Sequence, residues 1–342
     1  MANYVPAPEQ DVVVSSRVRI ARNFEDIPFM VKETDEQAEE VIRRVSSAIQ
    51  DGPQGDAYAF YRIRELSDPD RQELTEHRLI SNELLSLKNR GAALISSGRN
   101  VSVMMNEDDH IRVQGLLPGL QLERSAELAF LVEGEVGKKY PLAFDAQLGY
   151  LTSFPTDVGT GMRLSAVLHL PALTAARQIG PVMQAVGKLG LTVRGFYGEG
   201  SEVRGNMYVL SNQQSLGRSE EDMIRSMGAA ADQIVGHERQ LREQAEKADM
   251  PLLQDRLLRS LGEVIYSRLM GAKEMTRRLS DIRYAASMGY FHAPLRALDE
   301  LLMDMQPGSL AKYAGRPLTD RERDEMRSDL MKRRLAEIQT ME

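Results

Sequence analysis

The 342-residue chain contains no cysteine. Disulfides, thiolate metal ligands and a cysteine nucleophile are thereby excluded together. Histidine is scarce too: five are scattered without an HExxH or HxH spacing, which argues against a protein-ligated transition metal. No run of 18 apolar residues occurs, and the opening MANYVPAPEQ lacks the charged-then-apolar order of a secretory signal. A cytoplasmic protein without membrane contact is therefore expected. Lysine is also short: only nine of the 43 basic residues are Lys, leaving 34 Arg. The net charge of −7 speaks against direct nucleic-acid binding. Arginine in this proportion suits planar, bidentate recognition of anions, although a GC-rich genome would produce the same bias.

What is present is ample for a core, since 42% of residues are hydrophobic. Up to about residue 217, alternating segments at 57–63, 101–105, 163–170 and 206–211 read as strands with period-two burial. Thr34 with Gln37 makes a capping box for a helix ending near Gly52, and Asp68-Pro69 starts another reaching about Leu79. The strands are not regularly separated by crossover helices, so the expected class is α+β, with a largely antiparallel sheet flanked by helices. After Gly217 the pattern is helical: a segment from Ser219 to about Ala248, then 252–271, 275–289, 293–305 and 319–339. The domains are drawn at 1–240 and 241–342.

Four motifs carry the chemistry. In SSRVRIARN, Arg17 and Arg19 stand two apart and share one side of a strand. NEDDHIR puts Glu107, Asp108 and Asp109 on a turn between two strands, followed by Arg112. Three acids on a turn are, by themselves, most simply read as solvated loop chemistry. In FPTDVGTGMRLS, Gly159 and Gly161 permit close backbone approach before Arg163, and RGFYGEGSE groups Arg194, Glu199 and Glu202 on a glycine-rich turn. Five arginines at strand ends or loops suggest a phosphate cage without a P-loop.

These four motifs, in this order, resemble the guanidino phosphotransferases, which move the γ-phosphoryl group of ATP to a guanidinium nitrogen. Family members acting on small guanidino compounds carry a helical domain ahead of the SSRVR motif; here that motif begins at residue 15 and helices follow the catalytic part instead. The resemblance, which continues through SNQQSLGRSEED, LSDIR and RDEMRS, is therefore to the bacterial branch acting on protein-borne arginine. It implies ATP and Mg²⁺, the metal held mainly by the nucleotide. It also implies protein substrates bearing arginine, and a Clp ATPase, an activator protein and a stress-response repressor as partners; a homodimer is expected separately, because the consecutive amphipathic helices of the last third carry more apolar surface than one small bundle hides.

By position, the resemblance assigns nucleotide binding to Ser15, Ser16, Arg17, Val18, Arg19, His77, Arg112, Arg163, Leu164, Ser165, Ala166, Val167, Arg194, Gly195 and Gly198. Catalytic carboxylates fall on Glu107, Asp108 and Glu199, and substrate positioning on Asp109, Phe154 and Glu202. In the tail, Arg323, Asp324 and Arg327 match a phosphoarginine-binding motif, whose two arginines share a helix face and could fork around one phosphate. Two departures stand out. The family's usual NEED turn has Glu where this chain has Asp108, roughly 1.3 Å shorter in reach, and Phe154 replaces the family's TSCPT cysteine. Kinase activity is the expected function. The alternatives are a weakened or inactive homologue acting as a phosphoarginine-binding adaptor, and a free-arginine phosphagen kinase.

Overall fold

The computed structural model describes residues 6–52, 55–87, 89–196 and 203–340. The strands are β1 (Val13–Arg22), β2 (Tyr58–Arg62), β3 (Ala92–Ser96), β4 (Val101–Met105), β5 (Ile111–Pro118), β6 (Phe144–Asp145), β7 (Gly149–Tyr150), β8 (Met162–His169), β9 (Leu191–Gly195) and β10 (Met207–Asn212). Helices α1 (Asp35–Gln50), α2 (Asp68–Glu76), α3 (Asn82–Ser86), α4 (Leu122–Gly137), α5 (Pro171–Ala175) and α6 (Ile179–Gly187) are interspersed with them. The remainder is helical: α7 (Glu220–Tyr266), α8 (Ala272–Ser287), α9 (Leu295–Asp304), α10 (Pro307–Ala314) and α11 (Asp320–Gln339).

Eight strands form one sheet in the order β2-β3-β4-β5-β1-β8-β10-β9, and every pair is antiparallel. The α+β expectation holds. Strand alternation then divides the molecule. Even-numbered positions of β1 and β8, such as Val18, Leu164 and Ala166, point to one face and are sealed by apolar residues of α4, α6 and the first half of α7. Toward β4 and β5 the same face is covered by α1 and α4. On the opposite face, α2, α3 and the turn between them pack over β3 and β4 through Leu74, Leu84 and Leu79 respectively. Helices α7 to α11 pack at the other side against Val167, Met207 and Val209. Between these two covers a strip of sheet stays open.

Local chemistry accounts for the helix ends that matter. The capping box of Thr34 and Gln37 is formed, and Ser219 caps α7. The break expected near 248–252 is a kink in α7: Asp249 leaves helical geometry two residues before Pro251, whose ring cannot continue the preceding hydrogen-bond ladder. Helix α2 stops three residues earlier than its sequence pattern suggests. Arg78 adopts φ +62°, with Leu79 N–H on Leu74 O at 2.9 Å and Arg78 N–H on Thr75 O at 2.8 Å. This is a Schellman ending with arginine where glycine normally sits. Helix α10 was not anticipated; its N-terminal amides at Gly308 and Ser309 donate to the Glu76 carboxylate at 2.7 and 2.8 Å, locking the helical part onto α2.

Candidate active site

The open strip floors a cleft of about 980 Å³. Pairing explains why its arginines converge. Arg19 lies opposite Arg163, Ala21 opposite Arg112, Arg17 opposite Ser165, and Arg194 opposite Val209. Residues directly opposite one another in antiparallel strands share a face. Arg17, Arg19, Arg112, Arg163 and Arg194 consequently project from β1, β5, β8 and β9 into one cavity. Arg78 completes the ring from the α2 turn, donating to Ser15 Oγ at 3.0 Å beside the Phe196 ring. Holding a bulky residue in the left-handed region costs about 1 kcal/mol or more, a strain typical of functional sites.

This concentration of charge is unfavourable without an anion. Burial and then the repulsion of Arg78, Arg19, Arg112 and Arg194 push the Arg17 guanidinium well below its ordinary pKa. Arg19 is pushed down to about 10 by burial and by Arg112. A triphosphate would relieve both, so the residues present fit ATP.

The turn at 106–110 resolves what three adjacent acids do. Asn106 takes φ +56° and anchors the turn by donating to Ala38 O and Arg90 O. Glu107 is buried against Ser81 and Arg112; burial raises its pKa against the pull of Arg112. Asp109 is fully buried and accepts from Asn23 Nδ2 and Ser153 N–H, both at 2.7 Å. His110 Nδ1 accepts from Phe24 N–H, leaving Nε2 to donate to Pro28 O. Four residues fasten the loop. Asp108 alone faces the cleft, with Oδ2 3.0 Å from Arg112 Nη2.

Beneath the turn, Glu33 lies 3.7 Å from His110 Nε2, and neither of its oxygens has a hydrogen-bond donor. Burial pushes its carboxyl from 4.5 up to about 7. The folded protein thus keeps a proton that the unfolded chain has released, and stability falls as pH rises between those values. Glu33→Gln should raise the melting temperature at pH 8 and leave it nearly unchanged at pH 5. Thermal melts at the two pH values check this; an equal shift at both would overturn it.

Several assigned positions lie elsewhere. Val18, Leu164 and Ala166 are core residues of the far face, and Ser16 is buried there, donating to Gly119 O. Val167 shares the arginines' face but is covered by the helical part. Ser165 accepts from Arg17 Nε at 3.4 Å, and Gly195 lines the cleft. His77 opens into a neighbouring hollow between Glu73 and Asp304. Gly198, Glu199 and Glu202 lie outside the described residues. Arg323 and Arg327 do not form an open fork: Arg327 is buried, donating to Met305 O, Met270 O and Asp324, while Arg323 is held by Asp320.

Sequence reasoning missed Arg78, Asp157 and the contribution of the helical part, whose Met303 and Gln306 line the cleft with Glu76. Asp157 belongs to FPTDVGTGMRLS and stands 3.8 Å from Arg163 Nη1.

Comparison with known proteins agrees with this geometry. The family model of the ATP:guanido phosphotransferase C-terminal catalytic domain matches residues 40–241, and that of the protein-arginine kinase McsB C-terminal domain matches 251–342. A protein-arginine kinase of Brevibacillus brevis is 41% identical, the alignment covering 98% of this chain and 95% of that protein. One from Caldanaerobacter subterraneus is 39% identical over 96% and 98%. Among solved structures, the duplicated taurocyamine kinase of Schistosoma mansoni with bound transition-state-analogue components is similar with a TM-score of 0.62 and 26% identity. It covers 70% of this chain and 35% of that one. Lombricine kinase shares the fold with a TM-score of 0.60 and 20% identity, over 69% and 68% of the two chains.

Proposed function

The chain belongs to the ATP:guanido phosphotransferase family, in the branch whose curated members are protein-arginine kinases, and we propose that it phosphorylates arginine residues of other proteins through the cleft described above. The guanidinium nitrogen forms a bond to the γ-phosphorus while the bond from that phosphorus to the ADP oxygen breaks, and one guanidinium proton leaves. Such a transition state needs chiefly alignment and positive charge. Arg17, Arg19, Arg112, Arg163 and Arg194, with Arg78, supply both along the phosphate chain. Mg²⁺ carried by the phosphates supplies further charge neutralisation. Asp108 grips the acceptor's N–H edge and takes the proton, since a guanidinium of pKa above 12 is otherwise a poor nucleophile. Glu107 and Asp109 act by holding Asp108 and Arg112 in place.

The observation that carries this reading is the convergence of six arginines from distant parts of the chain on one cleft that also exposes a single carboxylate of the catalytic turn. A protein acceptor is favoured over free arginine by the helical part, whose Met303 and Gln306 make up part of the cleft wall. We assign the homodimer to the exposed stripe of Leu258, Ile265, Tyr266 and Leu269. Marking of the products for a Clp protease, an activator and a stress-response repressor as partners, and a cytoplasmic location are proposed from family membership; no described helix is long and apolar enough to cross a membrane. Incubation with Mg-ATP, an arginine-bearing protein and free arginine tests the function. Acid-labile phosphate on the protein is the expected result, and its absence there or its appearance on free arginine alone would reject the reading.

A further inference from the structure

The ring of Phe154 lines the same cleft as the six arginines, Asp108 and Asp157. The placement is direct. Ser153 N–H donates to Asp109 Oδ1 at 2.7 Å, so Phe154 and Asp108 are each one residue away from a contact that joins their two loops. The backbone of Phe154 is held as well, its carbonyl accepting from Thr152 Oγ1 at 2.8 Å and from Asp157 N–H at 3.0 Å. The ring itself packs into none of the four apolar cores and is 49% exposed. An aromatic ring kept half bare in a charged cleft that Asp108 and Asp157 also line has no packing role in those cores.

We propose that Phe154 is a specificity-determining residue that stacks on the acceptor guanidinium. The inference rests on the kinase reading and names how its acceptor is recognised. A guanidinium is a planar cation: its edge hydrogen-bonds to carboxylates, while its face stacks on aromatic rings. Asp108 at the edge and Phe154 at the face bind both features together. The ring also shields one side of the nucleophilic nitrogen from water, and it orients the guanidinium plane toward the arginine clamp. A lysine ammonium can meet the ring only as a point charge and offers Asp108 no planar N–H edge at the same time, so the site selects arginine over lysine. Phe154 is thus a binding surface in its own right.

Two variants test this. Phe154→Leu keeps an apolar side chain but removes the π face, and should raise KM for an arginine-containing peptide about tenfold while leaving KM for ATP unchanged. Phe154→Trp retains the face and, because the chain has no tryptophan, provides a single indole that can be excited at the red edge apart from the 11 tyrosines. Its emission should change saturably with Nα-acetylarginine methylamide, without nucleotide, and stay constant with the lysine analogue. An unchanged peptide KM in Phe154→Leu, or equal emission responses to the two analogues, would overturn the stacking. The titration requires no turnover. Selective arginine binding by Phe154→Trp in a protein that transfers no phosphate would therefore uphold the stacking while rejecting the kinase reading.

Discussion

Arg19→Gln should lower the phosphoryl-transfer rate about a hundred- to a thousandfold, the scale seen when one preorganised charge or donor at a developing anion is removed. The same substitution should leave the unliganded protein slightly more stable. The opposed signs follow from one cause. Arg19 stands opposite Arg163 in the sheet and near Arg112, and its depressed pKa means that its charge opposes folding at neutral pH. Bound ATP reverses that balance, so the wild type should gain melting temperature with nucleotide and the variant should gain less. Arg163→Ala and Arg194→Ala should show similar losses of rate. Steady-state kinetics with thermal melts, with and without ATP, make the comparison. A variant that loses rate and unliganded stability together would show that Arg19 is structural rather than a phosphate ligand.

How much of this was legible in the sequence depends on how far each cause lies from the residue it acts on. The five arginines could be read because their reason is local: strand period and glycine-flanked turns put them at strand ends, and the sheet did the rest. The same alternation removes Val18, Leu164 and Ala166 from the site, since they lie on the opposite face of the very strands that carry Arg17, Arg19 and Arg163. His77 and Arg78 were separable only by the backbone. A helix end lacking glycine gave no sign that Arg78 would take the left-handed position and swing into the cleft. The RDEMR spacing correctly put Arg323 and Arg327 on one helix, α11, but spacing carries no information about depth. Arg327 is buried because carbonyls of Met270 and Met305, at the ends of other helices, converge on it. The three acids of the turn were likewise indistinguishable in sequence. Ser81, Asn23 and Ser153, all remote along the chain, decide that Glu107 and Asp109 are fasteners.

That division of labour makes the final prediction specific to one carboxylate. Asp108→Asn should reduce transfer at least about a hundredfold, because the amide cannot accept the guanidinium proton. Affinity for ATP should change little, since Arg112 keeps its ion pair with Glu107 when Asp108 is neutral. Asp109→Asn should instead show up as lost stability, for its carboxylate accepts two short hydrogen bonds inside the protein and meets no substrate. Asp108→Glu separates chemistry from reach. The longer side chain restores the length the family uses, and misplacement on the scale of 1 Å can cost about a hundredfold in rate, so kcat should rise severalfold. The loop that holds the turn is tied on four sides and cannot drift to offset a short side chain. A slower Glu variant would mean that the tethers through Asn106, Glu107, Asp109 and His110 already carry the backbone inward by the missing methylene. Single-turnover rates for the three Asp108 forms, set beside the denaturation midpoint of Asp109→Asn, distinguish the working acid from the acids that hold it.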